Sequence, residues 1–156
     1  MYILQPLLRI REMREDRATG ELTAARQALA VAEETLAARR HDLAVFEETK
    51  EERRDRIYAT VIGRAVSREQ LDMATEGVAR IDEEGALKAD NVARAEAERQ
   101  AREEAADAAR AKLNLATKNR MKIDEHRAVW LMDEAKAQED RAEAELEDFT
   151  VRKEEI

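Results

Sequence analysis

Apolar residues return at every seventh position over most of this chain, and that period restricts the fold more than any other feature. In the first half Leu22, Leu29, Leu36, Leu43, Lys50 and Ile57 make one row, and Ala18, Ala25, Ala32, Arg39, Phe46 and Arg53 make another, interleaved at steps of four and three. This is the a/d seam of a coiled coil, sustained for about five heptads. The second half repeats it in a thinner form, with Leu71, Val78, Gly85, Val92, Arg99, Ala106 and Leu113 in one row. Ala74, Ile81, Lys88, Ala95, Arg102, Ala109, Ala116 and Ile123 form the other. A helix of this kind cannot bury one stripe by itself, so it needs a partner helix from its own chain or from another.

Composition supports a narrow core. Of 156 residues, 41% are charged and 44% fall in the hydrophobic class, but 30 of the latter are alanine, which leaves 38 large apolar side chains. That is too few for a broad layered core and enough for a thin seam. Four glycines and one proline leave the chain short of turns, and its Ala, Glu, Arg, Lys and Leu favour helix. The fold class expected is therefore all-α, within one elongated domain spanning residues 1–156.

The break between the seams falls in IYATVIGRAVSREQL. Ser67 and Gln70 have capping-box spacing ahead of the new apolar row, and Gly63 can supply a left-handed residue after the first helix. The alternative is one continuous helix with an incidental Gly and Ser, since a helical Gly costs only about 1 kcal/mol. The hairpin reading gives helix 1 at about 5–62, a turn at about 63–67 and helix 2 at about 68–150. With a bend near residue 65, Leu43 comes near Leu87, Leu29 near Ala101, Ala18 near Lys112 and Leu8 near Lys122, so that bulky residues of the first helix meet alanine-rich stretches of the second. Residues past about 127 then overhang the start of helix 1. Arg39, Lys50, Arg53, Lys88, Arg99, Arg102, Arg120 and Arg127 stand in the seam, weakening it while fixing register through neighbouring carboxylates.

Several kinds of chemistry are missing. His41 and His126 are the two imidazoles, and neither has an HExxH or Glu-x-x-His neighbour, so no metal site is expected. Runs such as Glu47, Glu48, Glu51, Glu52 and Asp55 read as a solvated face rather than a catalytic pair. Phosphate loops, nucleophile elbows and dinucleotide fingerprints are absent, so no catalysis and no cofactor are expected. Without cysteine there is no disulfide framework. The net charge of −8, with 12 basic and 12 acidic side chains in residues 1–66 against 16 and 24 in 67–156, speaks against a general nucleic-acid binder. No run is long enough to span a bilayer and the start lacks a signal-type cleavage site, so a soluble, unprocessed chain without membrane insertion is expected.

Three surfaces remain. At the amino end Ile3, Leu4, Leu7, Leu8, Ile10 and Met13 exceed what one seam hides, and Arg9, Arg11, Arg14 and Arg17 are mixed among them. Arg110, Lys112, Lys118, Arg120 and Lys122 are expected alongside as a basic collar, unless their stems merely lie over the seam. The carboxyl-terminal stretch carries Trp130, Leu131, Met132, Leu146 and Phe149 with an acidic cluster from Glu139 to Asp148. Trp130 is either an exposed anchor or packed against Tyr2 and Leu4. At the bend Ile57, Tyr58, Val61, Ile62 and Val66 either plug the hairpin tip or form a small interaction patch.

In order and length, LLRIREMREDRA, the Ala-Leu heptads, the IGRAVSREQL break and RAVWLMDEA before an acidic end resemble the stalk proteins of bacterial type III secretion. These are the YscO proteins of injectisomes and the related flagellar FliJ, with the injectisome branch favoured. The resemblance implies a two-helix antiparallel coiled coil at the bacterial cytoplasmic base of the apparatus, seated in a hexameric secretion ATPase, and serving virulence or symbiosis. Carried over, Leu4, Leu7, Leu8, Ile10, Arg11, Met13, Arg14, Arg120, Lys122 and Trp130 face the ATPase. Ile57, Tyr58, Val61 and Ile62 face the export gate, a membrane protein, and substrate chaperones are further implied partners. The free protein is then expected as a monomer. The alternative is a parallel homodimeric coiled coil acting as a scaffold or cytoskeletal element.

Overall fold

The computed structural model describes residues 1–154, with side chains through Phe149. Two helices are present, α1 (Gln5–Tyr58) and α2 (Arg68–Glu154), and no strand occurs among the described residues. Pro6 sits in the first turn of α1, where a missing N–H costs nothing. A turn leads into it, with Gln5 N donating to Tyr2 O at 3.2 Å and Leu8 N to Leu4 O at 3.0 Å.

The break is built from the residues that mark it in the sequence. Ser67 N donates to Gln70 Oε1 at 2.9 Å and Gln70 N donates to Ser67 Oγ at 3.2 Å, a reciprocal capping box at the start of α2. Gly63 has φ 72°, the left-handed region in which a side chain is strained. Helix α1 ends at Tyr58, four residues before the expected limit near 62. Thr60 explains the early stop. Its hydroxyl and its amide both donate to Ile57 O, at 2.6 and 3.1 Å, while Tyr58 O takes the amides of Val61 and Ile62 at 3.0 and 2.8 Å. The last carbonyls are satisfied by a tighter turn, and the β-branched run Thr60, Val61, Ile62 has little helix preference to oppose it.

The described residues pack as two units: residues 1–22 with the part of α2 from 109 onward, and residues 23–108. In the second unit Ala32, Leu36, Phe46, Ala74, Ile81, Ala95 and Ala106 are buried seam residues. Phe46 is 3% exposed and lies on Gly85, so closely that a Cβ there would stand 2.7 Å from its Cε1. Ile57 lies on Gly77 in the same way, with Cδ1 3.1 Å from where a Cβ would be. Large against small is thus the packing rule around the aromatic ring. Farther along, Ala28 and Ala32 face Ala95 and neither side fills the space, leaving an open groove also lined by Val31 and Arg102.

Ion pairs between the helices set the register of this unit: Arg40 with Glu96 at 2.5 Å, Arg53 with Glu84 at 2.7 Å, and Arg54 with Asp82. Among the seam positions of this unit Arg39 and Arg102 are exposed and pair along their own helices with Asp42 and Glu98, and Leu71 is 51% exposed. The expected neighbours Leu87 and Ala101 are also exposed, Leu87 at 60%. Counting residues from the bend gives the right height but not the direction around the helix, and two residues beyond Gly85 a side chain points to the opposite face.

In the first unit Tyr2, Leu8, Ala18 and Leu22 are buried. Leu113, Ala116, Ile123 and Trp130 of α2 are half-buried along the same seam. Both units pair α1 and α2 of one chain in antiparallel sense, so the stripe that a parallel homodimer would need is already covered from within.

Candidate docking surfaces

The amino-terminal surface begins with a closure that the heptads do not announce. Tyr2 precedes α1, is 6% exposed, and places its ring 5.4 Å from that of Trp130 and 5.8 Å from that of His126. The Tyr2 hydroxyl and His126 Nδ1 are hydrogen-bonded at 2.8 Å. Trp130 is therefore half-buried under Tyr2 rather than a bare anchor. The signal in the sequence was an aromatic residue just ahead of the helix, at a height matching the sole tryptophan.

Leu8 is 1% exposed and belongs to the core, not to any outward surface. Leu4, Leu7 and Arg11 are half-buried. What remains outside is Ile3 at 86%, Ile10 at 46% and Met13 at 69% exposure. Ile10 and Met13 share a helix face at i, i+3. Arg9, Arg11 and Arg14 around them have no ion-pair partner among the described residues, although the chain is acidic overall. Arg11 Nε is buried with no hydrogen-bond partner.

The basic collar is only partly free. Arg120 is committed to Glu15 and to Asp124, and Glu15 Oε1 also accepts from Thr117 Oγ1 at 2.9 Å. These contacts raise the Arg120 pKa, the hydrogen bond to Glu15 contributing most. Lys112 pairs with Glu21 at 2.6 Å, and Arg17 joins the same carboxylate at 3.3 Å. The Lys112 hydrogen bond, more than any other contact, holds Glu21 below the ordinary carboxylate range. Lys122 and Arg14 are exposed. Arg11, Arg14, Arg17 and Lys112 border one groove, whose apolar lining is Ala18, Leu115 and Ala116. An apolar strip beside the guanidiniums of Arg11 and Arg14, which have no ion-pair partner among the described residues, suits a partner surface that is apolar and acidic.

At the bend, Ile57 is half-buried on Gly77 and acts in packing. Val61 is half-buried, whereas Tyr58 is 42% and Ile62 69% exposed. Leu71 and Met73 add exposed apolar area on the α2 side, at 51% and 70%. The patch therefore has more surface than a simple plug, and of the arginines around it Arg54, Arg56 and Arg68 are paired with Asp82, Glu52 and Asp72.

Among the described residues no group of three or more His, Asp or Glu side chains is placed to hold a metal ion. No described helix is long and apolar enough to cross a membrane. Comparison with curated proteins finds no match. The solved structure of CT670 from Chlamydia trachomatis, described as a candidate YscO homolog, is similar, with a TM-score of 0.73 at 20% identity. The match covers 97% of this chain and 92% of that one, and at this identity it speaks for the fold. The family model of the type III secretion protein YscO matches residues 4–152, nearly the whole chain. The protein belongs to the YscO family of type III secretion proteins.

Proposed function

We propose that this protein is a non-catalytic central stalk of a type III secretion ATPase complex, working at the cytoplasmic base of the apparatus. Its amino-terminal surface, with Ile10, Met13, Arg11 and Arg14, docks in the hexameric ATPase ring, with Leu4, Leu7, Lys122 and the Tyr2–Trp130 closure at its margin. The bend, through Tyr58 and Ile62, is the surface offered to the export gate, and substrate chaperones are further partners. The observation that carries the reading is the strip of exposed Ile3, Ile10 and Met13 among Arg9, Arg11 and Arg14, which have no carboxylate partner among the described residues, on a chain of this family.

The mechanism follows from symmetry. One hairpin cannot satisfy six equivalent ATPase subunits at once, so it contacts one or two of them differently from the rest. Contacts that favour one subunit conformation shift its population, and the same coupling acts in reverse on the hairpin. Chemistry stays in the ATPase, and the hairpin biases it.

The test is ATPase stimulation with the cognate hexamer. Leu7→Asp with Ile10→Asp should abolish it while circular dichroism still reports a helical protein. Because Leu7 is half-buried, Ile10→Asp with Met13→Asp provides a second pair at exposed positions, with the same expected loss. Full stimulation by both variants would place the docking surface elsewhere.

A further inference from the structure

The last stretch of α2 carries a second apolar row that the hairpin leaves unused. Met121, Ala128, Ala135, Ala142 and Phe149 recur at every seventh residue, and Met132 and Leu146 follow Ala128 and Ala142 by four. At about 100° per residue this row lies on a different face from Ile123 and Trp130, which continue the seam toward α1. The burial pattern separates the two faces. Ile123 and Trp130 are half-buried, whereas Met121 is 48%, Met132 72%, Leu146 67% and Phe149 70% exposed. Ala128, Ala135 and Ala142 between them are exposed as well.

Steps of four and three over four heptads are the requirement for a helix lying alongside, and the row runs for about 42 Å. A flat or globular partner has no need of that period. The charge pattern narrows the partner further. Glu125 and Glu139 occupy the positions four after Met121 and Ala135, inside the row, and Glu143 borders it. None of the three has an ion-pair partner among the described residues. From Glu139 to Asp148 there are six acidic side chains and one basic one, Arg141. A second copy of the same row in parallel register would set Glu125 and Glu139 against their equivalents, which like-charge repulsion opposes.

We infer that the face of α2 from Met121 to Phe149 seats a basic amphipathic helix of a partner protein, apolar at heptad spacing and carrying Lys or Arg opposite Glu125 and Glu139. Recognition is of the helix-on-helix kind, with the large residues Met132, Leu146 and Phe149 as anchors and the carboxylates choosing the sign of the partner. This interaction uses a different face from the ATPase-docking strip and does not rest on that reading.

The experiment uses the full chain and a fluorophore-labelled synthetic helix of four heptads, with Leu and Ile at seam positions and Lys at the flanks, read by fluorescence anisotropy. Binding is expected, weakening as salt is raised and at least ten-fold in a Met132→Lys, Leu146→Lys variant. Both positions are exposed, so the variant should keep its helicity and melting temperature. A twin probe with Glu in place of Lys should bind at least ten-fold more weakly. The Leu7→Asp, Ile10→Asp chain should bind the Lys probe unchanged, so that the stalk reading and this one fail separately. No binding of the Lys probe, equal binding of the two probes, or an undiminished variant would overturn the inference. So would a chain dimer, seen by sedimentation, that the Met132→Lys, Leu146→Lys variant abolishes, since the face would then belong to a second copy.

Discussion

The seam around Phe46 and the seam around Tyr2 solve the same problem in opposite ways. At Phe46 the position directly opposite is Gly85, which has no side chain, so the ring packs against that glycine and is 3% exposed. Arg53 then lies over the ring at 5.7 Å and pairs with Glu84. At Tyr2 the closing residue comes from a turn ahead of α1, and it meets the large side chains of His126 and Trp130 at tilted ring angles. Trp130 stays half-exposed there, and Ile3, Ile10 and Met13 are left outside. Where large meets small, a two-helix seam closes. Where large residues outnumber the space, the remainder becomes surface that a partner can use.

The comparison breaks most visibly at Phe46. Phe46→Ala removes the ring that fills the space over Gly85 and should cost about 3–5 kcal/mol, seen as a lower denaturation midpoint. Gly85→Ala attacks the same contact from the other side. Its Cβ would stand 2.7 Å from Phe46 Cε1, and a buried ring cannot swing aside freely, so overpacking should outweigh the helix preference of alanine by about 1–2 kcal/mol. Gly20 is the control, because it lies inside α1 with nothing within 4 Å of an added Cβ. Gly20→Ala should stabilise by up to about 1 kcal/mol. If both alanines shifted stability in the same direction, the closeness of the Phe46–Gly85 contact would not be what holds that seam.

These glycines show what the sequence could convey. The heptad rows identified the seam, and Ser67, Gln70 and Gly63 marked the break, because capping and left-handed backbone are local demands written in adjacent residues. Gly85 was legible as a seam position, yet nothing local says that Phe46 fills it. Leu87 misled by lying at the right height and on the wrong face, and Leu8 by being one apolar residue among six, of which the fold buries this one fully. The half-coverage of Trp130 depended on where the chain ahead of α1 turns. The outer row from Met121 to Phe149 was present in the sequence but in a different register from the seam, and it stands out once the seam-facing side is known.

At the amino end the sharpest probe is the Tyr2 hydroxyl. Tyr2→Phe keeps the ring against Trp130 and loses the 2.8 Å bond to His126, for an expected cost of about 0.5–1 kcal/mol. Tyr2→Ala also uncovers the indole, so the emission of Trp130 should move to longer wavelength. Unchanged emission would mean that the ring contact does not shield Trp130 in solution.

The smallest effect compares the ion pairs of the two units. Glu21 is held low mainly by its hydrogen bond to Lys112, and Glu84 mainly by its hydrogen bond to Arg53. In each case the folded chain binds the proton less readily than the unfolded one. The stabilisation is therefore present above the ordinary carboxylate value and is lost as pH falls through the lowered folded value. Lys112→Ala and Arg53→Ala should each melt slightly below the parent near neutral pH, and the Lys112→Ala curve should converge with the parent's once the carboxylates are protonated. The Lys112–Glu21 pair is solvent-exposed, so salt should shrink the Lys112→Ala difference. The Arg53→Ala difference should survive both acid and salt in part, because that guanidinium also covers Phe46. A difference for Arg53→Ala that vanished completely in acid would reduce its role to charge and remove the distinction between the two ends at this position.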